Sequence, residues 1–169
     1  MSDQAMTNTE DRVNIISRVF DAPRELVWKA WTEPEHLMQW WGPEHFTSPK
    51  CTIDFRVGGR YHFCMRGPDG KDYWTTGEYL EIVELERIVF SDFFSDEHAH
   101  ILSPAEYGMG GDWAETMLVT LTFEERDGKT YFTLRHEGCP QGEMAGMMVM
   151  GWNQSFDKMV VHLETLTQK

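Results

Sequence analysis

Two ionisable residues on consecutive strand-like runs make the best case for chemistry in this sequence. Glu115 falls in the run 113–126, where Trp113, Glu115, Met117, Val119, Leu121 and Phe123 share one side. Ala114, Thr116, Thr120 and Thr122 share the other. Side chains alternate between the faces of a pleated strand, so the apolar odd positions must face a core and Glu115 goes with them. In the next run, 129–137, Phe132, Leu134 and His136 share the apolar side. A carboxylate and an imidazole are therefore expected to meet near one pocket mouth. A buried charge needs a partner, so such a pair would raise the proton affinity of His136 and suit acid–base work. Two purely structural roles compete: Glu115 solvated where the strand frays into a loop, and His136 hydrogen-bonded to backbone.

Other candidate groups give weaker signals. Arg60, Arg66 and Arg135 lie on strand-like runs, where each could clamp a ligand carboxylate or pair with the abundant acids on an exposed face. The segment Asp96-Glu97-His98-Ala99-His100 offers two imidazoles two residues apart in a loop without a fixed third ligand, so no metal is expected. No Gly-x-Gly-x-x-Gly follows a strand, there is no Walker-type lysine and no serine elbow, so no cofactor is expected.

Composition narrows the partners. The 169 residues carry a net charge of −13 and no run of Lys or Arg, which argues against nucleic acid and anionic headgroups. The longest apolar-looking run, 144–152, is too short to span a bilayer, and the polar start has no signal-peptide core. The Asn153-Gln154-Ser155 sequon falls in a predicted helix and is discounted. Cys51, Cys64 and Cys139 are odd in number and widely spaced, which suits free thiols in a reducing cytoplasm. With 10 Phe, 7 Trp, 5 Tyr and 11 Met, the chain has the bulky, adaptable side chains that line cavities.

The elements that must position these groups follow in order. Residues 1–11 read as a disordered lead, and 12–169 as a single domain. Residues 12–20 alternate around Val13, Ile15 and Val19, as a strand does. Asp21 is placed to cap a helix with Pro23 in its first turn, and Val27, Ala30 and Trp31 form its apolar stripe. Thr32-Glu33-Pro34-Glu35 reads as a capping box for a second short helix that runs through Trp40 and Trp41 to Gly42-Pro43. Strands are predicted over 46–55, 60–66, 73–83, 88–94, 113–126 and 129–137, with a hairpin signal at Gly67-Pro68-Asp69-Gly70. The Gly-rich loop 96–112 has the length of a lid, with Met109 and Trp113 placed to cover an opening. A long helix over 143–167 carries Met148, Trp152, Phe156, Met159, Leu163 and Leu166 at steps of three and four, and must bury against the sheet.

The segments VFDAPRELVWKAWTEPEHLMQWWGP, GGRYHFCMRGPDG, GEYLEIVELERIVFSD and GWNQSFDKMVVHLE occur in this order. In this combination the chain resembles the family of homologues of the activator of heat-shock-protein-90 ATPase, within the START-related, Bet v 1-like (SRPBCC) superfamily. The resemblance runs from about residue 14 to 166. It implies an α+β helix-grip fold: a curved antiparallel sheet of six or seven strands around a long C-terminal helix, with two short helices after the first strand. It also implies a place for apolar molecules between sheet and helix, as in many superfamily members. The eukaryotic co-chaperone has a separate N-terminal module, whereas about eleven residues precede the first strand here, so a chaperone partner is not expected.

The function expected is binding of a small hydrophobic or aromatic molecule in a cavity between the sheet and the last helix. Its lining is expected from Trp41 after the short helices, Phe63, Met65, Tyr73 and Phe94 on the middle strands, and Trp113, Met117 and His136 on the last two. Met148, Trp152 and Phe156 complete it from the helix. An enzyme of the same fold using Glu115 and His136, and a protein-interaction domain, are the alternatives. Exposed strand edges leave room for a homodimer.

Overall fold

A computed structural model describes residues 13–108, 111, 113–114, 116–140 and 142–167. The predicted lead of residues 1–11 lies outside them, as do Met109 and Glu115. The elements are β1 (Val13–Phe20), α1 (Arg24–Thr32), α2 (Pro34–Leu37), β2 (Cys51–Ile53), β3 (Arg60–Arg66) and β4 (Asp72–Val83). They continue with β5 (Arg87–Ser95), β6 (Ile101–Leu102), β7 (Met117–Arg126), β8 (Lys129–Glu137) and α3 (Glu143–Thr167). One antiparallel sheet runs β1-β8-β7-β5-β4-β3-β2, with β6 added to the end of β5 beyond the start of β7. It is curved and unclosed, and α3 lies along its concave side: the helix-grip fold expected from the sequence.

Turn chemistry sets the register. Asp127 and Gly128 both have positive φ, 54° and 78°, the combination that a tight β7–β8 hairpin requires. Gly77 permits a close crossing: a Cβ there would lie 1.8 Å from the carbonyl oxygen of Ser91 on β5. Nearby, the β4–β5 register shifts between Tyr79 and Glu81, which adds local twist.

Several sequence-based expectations need correction. The run 46–55 forms strand only over β2, and Thr47 makes a lone bridge to Arg66. The run 113–126 pairs only from Met117, so strand alternation does not fix the direction of Glu115. On β1 the core face is Asn14, Ile16 and Phe20, while Ile15 and Val19 stay 58% and 52% exposed. The cause is register: Ile16 pairs with Leu134 and Asn14 with His136, so the even positions of β1 and β8 share the concave face. Neither short helix is capped as predicted. Pro23 and Glu33 are the N-cap residues, without side-chain caps, and α2 is only four residues long. Instead Glu125 on β7 accepts the first free N–H of α1, from Arg24, at 2.9 Å.

The space between helix and sheet is filled. Trp31 is ringed by Trp40 at 4.7 Å, Phe132 at 5.8 Å, Trp41 at 6.1 Å, Trp152 at 6.2 Å and Phe156 at 6.3 Å between centroids. Trp40, wholly buried, donates its indole N–H to the Ala30 carbonyl at 2.9 Å. The expectation that α3 crosses the hollow without filling it is therefore corrected. Between the rings lies an inner void of about 10 Å³, bounded by Trp31, Tyr61, Phe63, Tyr79, Ile88, Phe90 and Leu121. That is barely room for one water molecule.

Candidate ligand-binding site

The predicted lining residues separate into two ring systems. The inner one is continuous: Phe63 meets Trp41 at 4.8 Å, Trp41 meets Trp152 at 5.5 Å, and Trp152 stacks on Phe156 at 5.8 Å and stands edge-on to His136 at 5.9 Å. Met117 is buried on the same face. The outer system is a half-buried ladder at the sheet's end: Phe94 meets Trp113 at 5.1 Å and Tyr107 at 4.8 Å, and Tyr73 lies 6.5 Å from Tyr107. Met65 sits beside Tyr73 in the sheet register. Met148 is half-buried on the first half of α3. Phe46, 6.0 Å from Tyr73, and Tyr107 join this ladder and were not foreseen. Tyr107 also accepts the Trp74 backbone N–H at 2.8 Å, which ties this part of the predicted lid to β4.

At the inner system's polar end stands His136, 2% exposed. Its Nε2 lies 3.3 Å from Asp92 Oδ2, and its Nδ1 accepts the Trp152 indole N–H at 3.3 Å. Asp92 Oδ1 in turn accepts the Tyr61 hydroxyl at 3.1 Å, a proton that Tyr61 shares with the Ser91 carbonyl at 2.8 Å. The thiol of Cys139 is buried nearby. Burial works to depress the proton affinity of His136. The neighbouring Asp92 carboxylate and Cys139 thiol outweigh it and raise the pKa from the ordinary 6.5 to about 10. Burial, then the charge of Asp92, drives Tyr61 the same way. The Trp152 N–H opposes protonation, because it occupies the lone pair that a proton on Nδ1 would take.

His136 therefore has an acid beside it, but the carboxylate is that of Asp92. Sequence pattern carried a signal for this: Ile88, Phe90 and Asp92 alternate on one side of β5, so Asp92 shares the core face of two buried neighbours. Asn14 was missed for the opposite reason, since its strand was read by its exposed apolar residues.

Four buried polar atoms in the described structure lack a hydrogen-bond partner: Asn14 Nδ2, Trp31 Nε1, Thr75 Oγ1 and His136 Nε2. His136 Nε2 belongs here because its approach to Asp92 has ion-pair distance but not hydrogen-bond direction. Asn14 and His136 are directly paired across β1 and β8. Thr75 sits in register between Phe63 and Phe94, linking the inner and outer rings. An unpaired buried polar group typically costs about 1–3 kcal/mol, so these four atoms are a standing cost to the folded state.

The remaining candidates lie elsewhere. Arg66 makes two bonds to Asp72, at 2.7 and 3.1 Å, and Arg135 approaches Glu137 at 3.4 Å; both, like Arg60, are exposed. In the loop, Asp96 spends its carboxylate on the backbone of His98 and His100 and on the His100 ring at 3.0 Å. A groove of about 280 Å³ on the outer face, bounded by Lys50, Cys64, Arg66, Asp72, Trp74 and Glu97, contains charges of both signs.

This geometry can be set beside known proteins. Residues 21–164 match the family described as activator of Hsp90 ATPase homolog 1-like protein. The chain belongs to that family. A crystallised protein of Chromobacterium violaceum is 27% identical, with a TM-score of 0.73, covering 90% of this chain and 97% of its own. A protein of Arthrobacter aurescens is 26% identical with a TM-score of 0.75, covering 93% and 88%. The AHSA1 protein of Silicibacter pomeroyi shares the fold at 20% identity, with a TM-score of 0.71 and coverage of 90% and 98%. No curated protein matches the chain. No helix among the described residues is long and apolar enough to cross a membrane.

Proposed function

We propose that the protein binds a small hydrophobic or aromatic molecule between the sheet and α3, at the end where Trp152 covers His136. The observation that carries this reading is the set of unpartnered buried polar atoms within an aromatic interior. Apolar walls supply affinity at about 25 cal/mol per Å² buried, and the polar atoms orient the guest. Because rings fill the interior, entry requires side chains to move, and the partly buried Trp152 beside His136 is in place to do so. Native mass spectrometry of protein purified without added ligand, followed by tryptophan quenching against a hydrophobic library, tests the reading. A folded protein that retains no mass adduct and responds to no compound removes it. The free thiols fit a cytoplasmic setting for such a binder.

One observation favours a second reading. Asp92 lies 3.3 Å from the His136 imidazole, a carboxylate placed to stabilise the imidazolium that would form if a bound substrate gave up an acidic proton. Turnover of a bound compound that disappears in both Asp92→Asn and His136→Gln supports this; turnover unchanged in either variant ends it.

A further inference from the structure

The Trp152 indole occupies a slot built for a flat ring. Phe156 stacks on it with planes 26° apart, Trp41 and His136 stand edge-on at 82° and 80°, and Trp31 lies 6.2 Å away. The indole also presents its N–H to His136 Nδ1 at 3.3 Å. A ring with this shape and a single donor on its edge is what the slot accepts. In this structure the chain supplies that ring itself, from the half-buried first half of α3.

The surroundings of Nδ1 favour a donor more acidic than an indole. Asp92 on β5 stands behind the imidazole, the Cys139 thiol beside it, and the Tyr61 hydroxyl on β3 behind Asp92. All three sides leave Nδ1 as the atom on which a proton from a guest would be stabilised. Asn14, 8% exposed and directly across from His136, has an amide nitrogen without an acceptor. An anionic oxygen arriving beside the imidazole would give it one.

We propose that the Trp152 slot is a binding site for flat aromatic acids, phenols or arene carboxylic acids, with Trp152 as its displaceable internal occupant. This rests on the binding reading above and narrows it. The guest's ring replaces the indole between Phe156, Trp41 and Trp31. Where its acidic O–H is still protonated, the O–H bond breaks, the proton moves to His136 Nδ1, and the electron pair stays on oxygen. A carboxylate that arrives ionised brings no proton, and Nδ1, freed of the indole, takes one from solvent. In both cases the anion faces an imidazolium and accepts from Asn14 Nδ2.

4-Nitrophenol is a suitable probe because its phenolate absorbs at a longer wavelength than its phenol. In Trp152→Ala, measured below the solution pKa of the probe, binding is expected at least tenfold tighter than to the unaltered protein, with the bound probe absorbing as phenolate. Nitrobenzene, which lacks the O–H, should bind at least fivefold more weakly. In Asn14→Leu combined with Trp152→Ala, nitrophenol affinity should fall several-fold while folding stability rises, a pairing that a merely structural asparagine would not give. Should the alanine variant fail to fold, the same comparison is made in the unaltered protein by following the Trp152 indole N–H resonance, assigned with Trp152→Phe. That resonance should shift with nitrophenol and not with nitrobenzene. Equal affinity for the two probes, or equal affinity with and without the indole, overturns the proposal while leaving a hydrophobic binding site in place. If neither folded protein binds any aromatic probe, both readings fall.

Discussion

The two halves of α3 are made of similar residues and are held in different ways. From Ser155 onward the helix is part of the core, with Phe156, Met159 and Leu163 buried. Arg18 bonds Asp157 at 2.9 Å, Lys158 bonds the Phe46 carbonyl at 2.9 Å, and His162 meets His36 at 3.0 Å. The first half is rich in methionine yet poorly covered: Met147 and Met150 are 61% and 56% exposed, and Met148 is half-buried. Trp152 lies at the boundary. The second half has the burial of a structural element; the first has adaptable, poorly covered side chains, with its polar ties gathered near its end, where Arg18 bonds Asn153 at 3.2 Å and Gln154 accepts the Glu44 N–H at 3.1 Å.

Truncation should separate the halves most clearly. Phe156→Ala removes a ring packed against Phe20, Phe132, Trp40 and Trp152 and is expected to cost about 3–5 kcal/mol in denaturant unfolding. Met148→Ala, on the open half, should cost less than about 1 kcal/mol. Equal losses would mean that the helix is held uniformly and would remove the case for a mobile cover.

The polar centre beneath Trp152 gives the next largest effect. His136 has its folded pKa raised to about 10, above the unfolded value near 6.5, so the folded state binds the proton more tightly. Its contribution is fully present below about pH 6.5 and is lost as pH rises through about 10. Stability should fall by roughly a few kcal/mol across that window. Asp92→Asn should flatten this alkaline arm. An arm of unchanged slope in that variant would show that the carboxylate does not hold the proton on the imidazole.

The fold was legible because its signals are local: alternation on β7 and β8, the Asp127-Gly128 turn, and helical steps from Met148 to Leu166. The site was legible only in part. The inward direction of His136 was legible because it alternates with the buried Phe132 and Leu134 on the same strand. Glu115 lies outside the described residues, and because β7 begins two residues later, alternation does not fix its direction. Asn14 was missed because an edge strand with apolar residues on both faces does not say which face is inside; only the register with β8 decides it. Ring packing was not legible at all. Aromatic content announces a large interior, but whether the rings line a hollow or fill it depends on the distance between helix and sheet.

Thr75 tests the orphaned polar atoms with little change in shape. Its hydroxyl is buried without a partner between Phe63 and Phe94, at the junction of the two ring systems. Thr75→Val replaces that hydroxyl with a methyl of similar size and removes the desolvation cost. A gain of about 1 kcal/mol is expected in the ligand-free protein, measured by denaturant midpoint at constant m-value. Loss of stability would mean that the hydroxyl has a partner and is not held in reserve for a guest.

The smallest effect belongs to the anchored half, and its sign is opposite to that of His136. His36 Nδ1 and His162 Nε2 are 3.0 Å apart with ring centroids 5.3 Å apart, so the nitrogens point at each other and share one proton. Glu33 lies 3.5 Å from His36 Nε2, which favours a proton there and leaves His162 as the donor across the pair. Burial, then the neighbouring His36, lowers the pKa of His162. The unfolded chain therefore binds protons that the folded one resists, and stability is lost as pH falls through the unfolded histidine value near 6.5. Stability is thus lost at opposite ends of the pH range, in acid at His162 on the anchored half of α3 and in alkali at His136 on β8. His162→Gln should flatten the acid arm and leave the alkaline arm intact. A variant that altered both arms alike would show that the halves respond as one body, and the comparison drawn from their burial would lose its physical content.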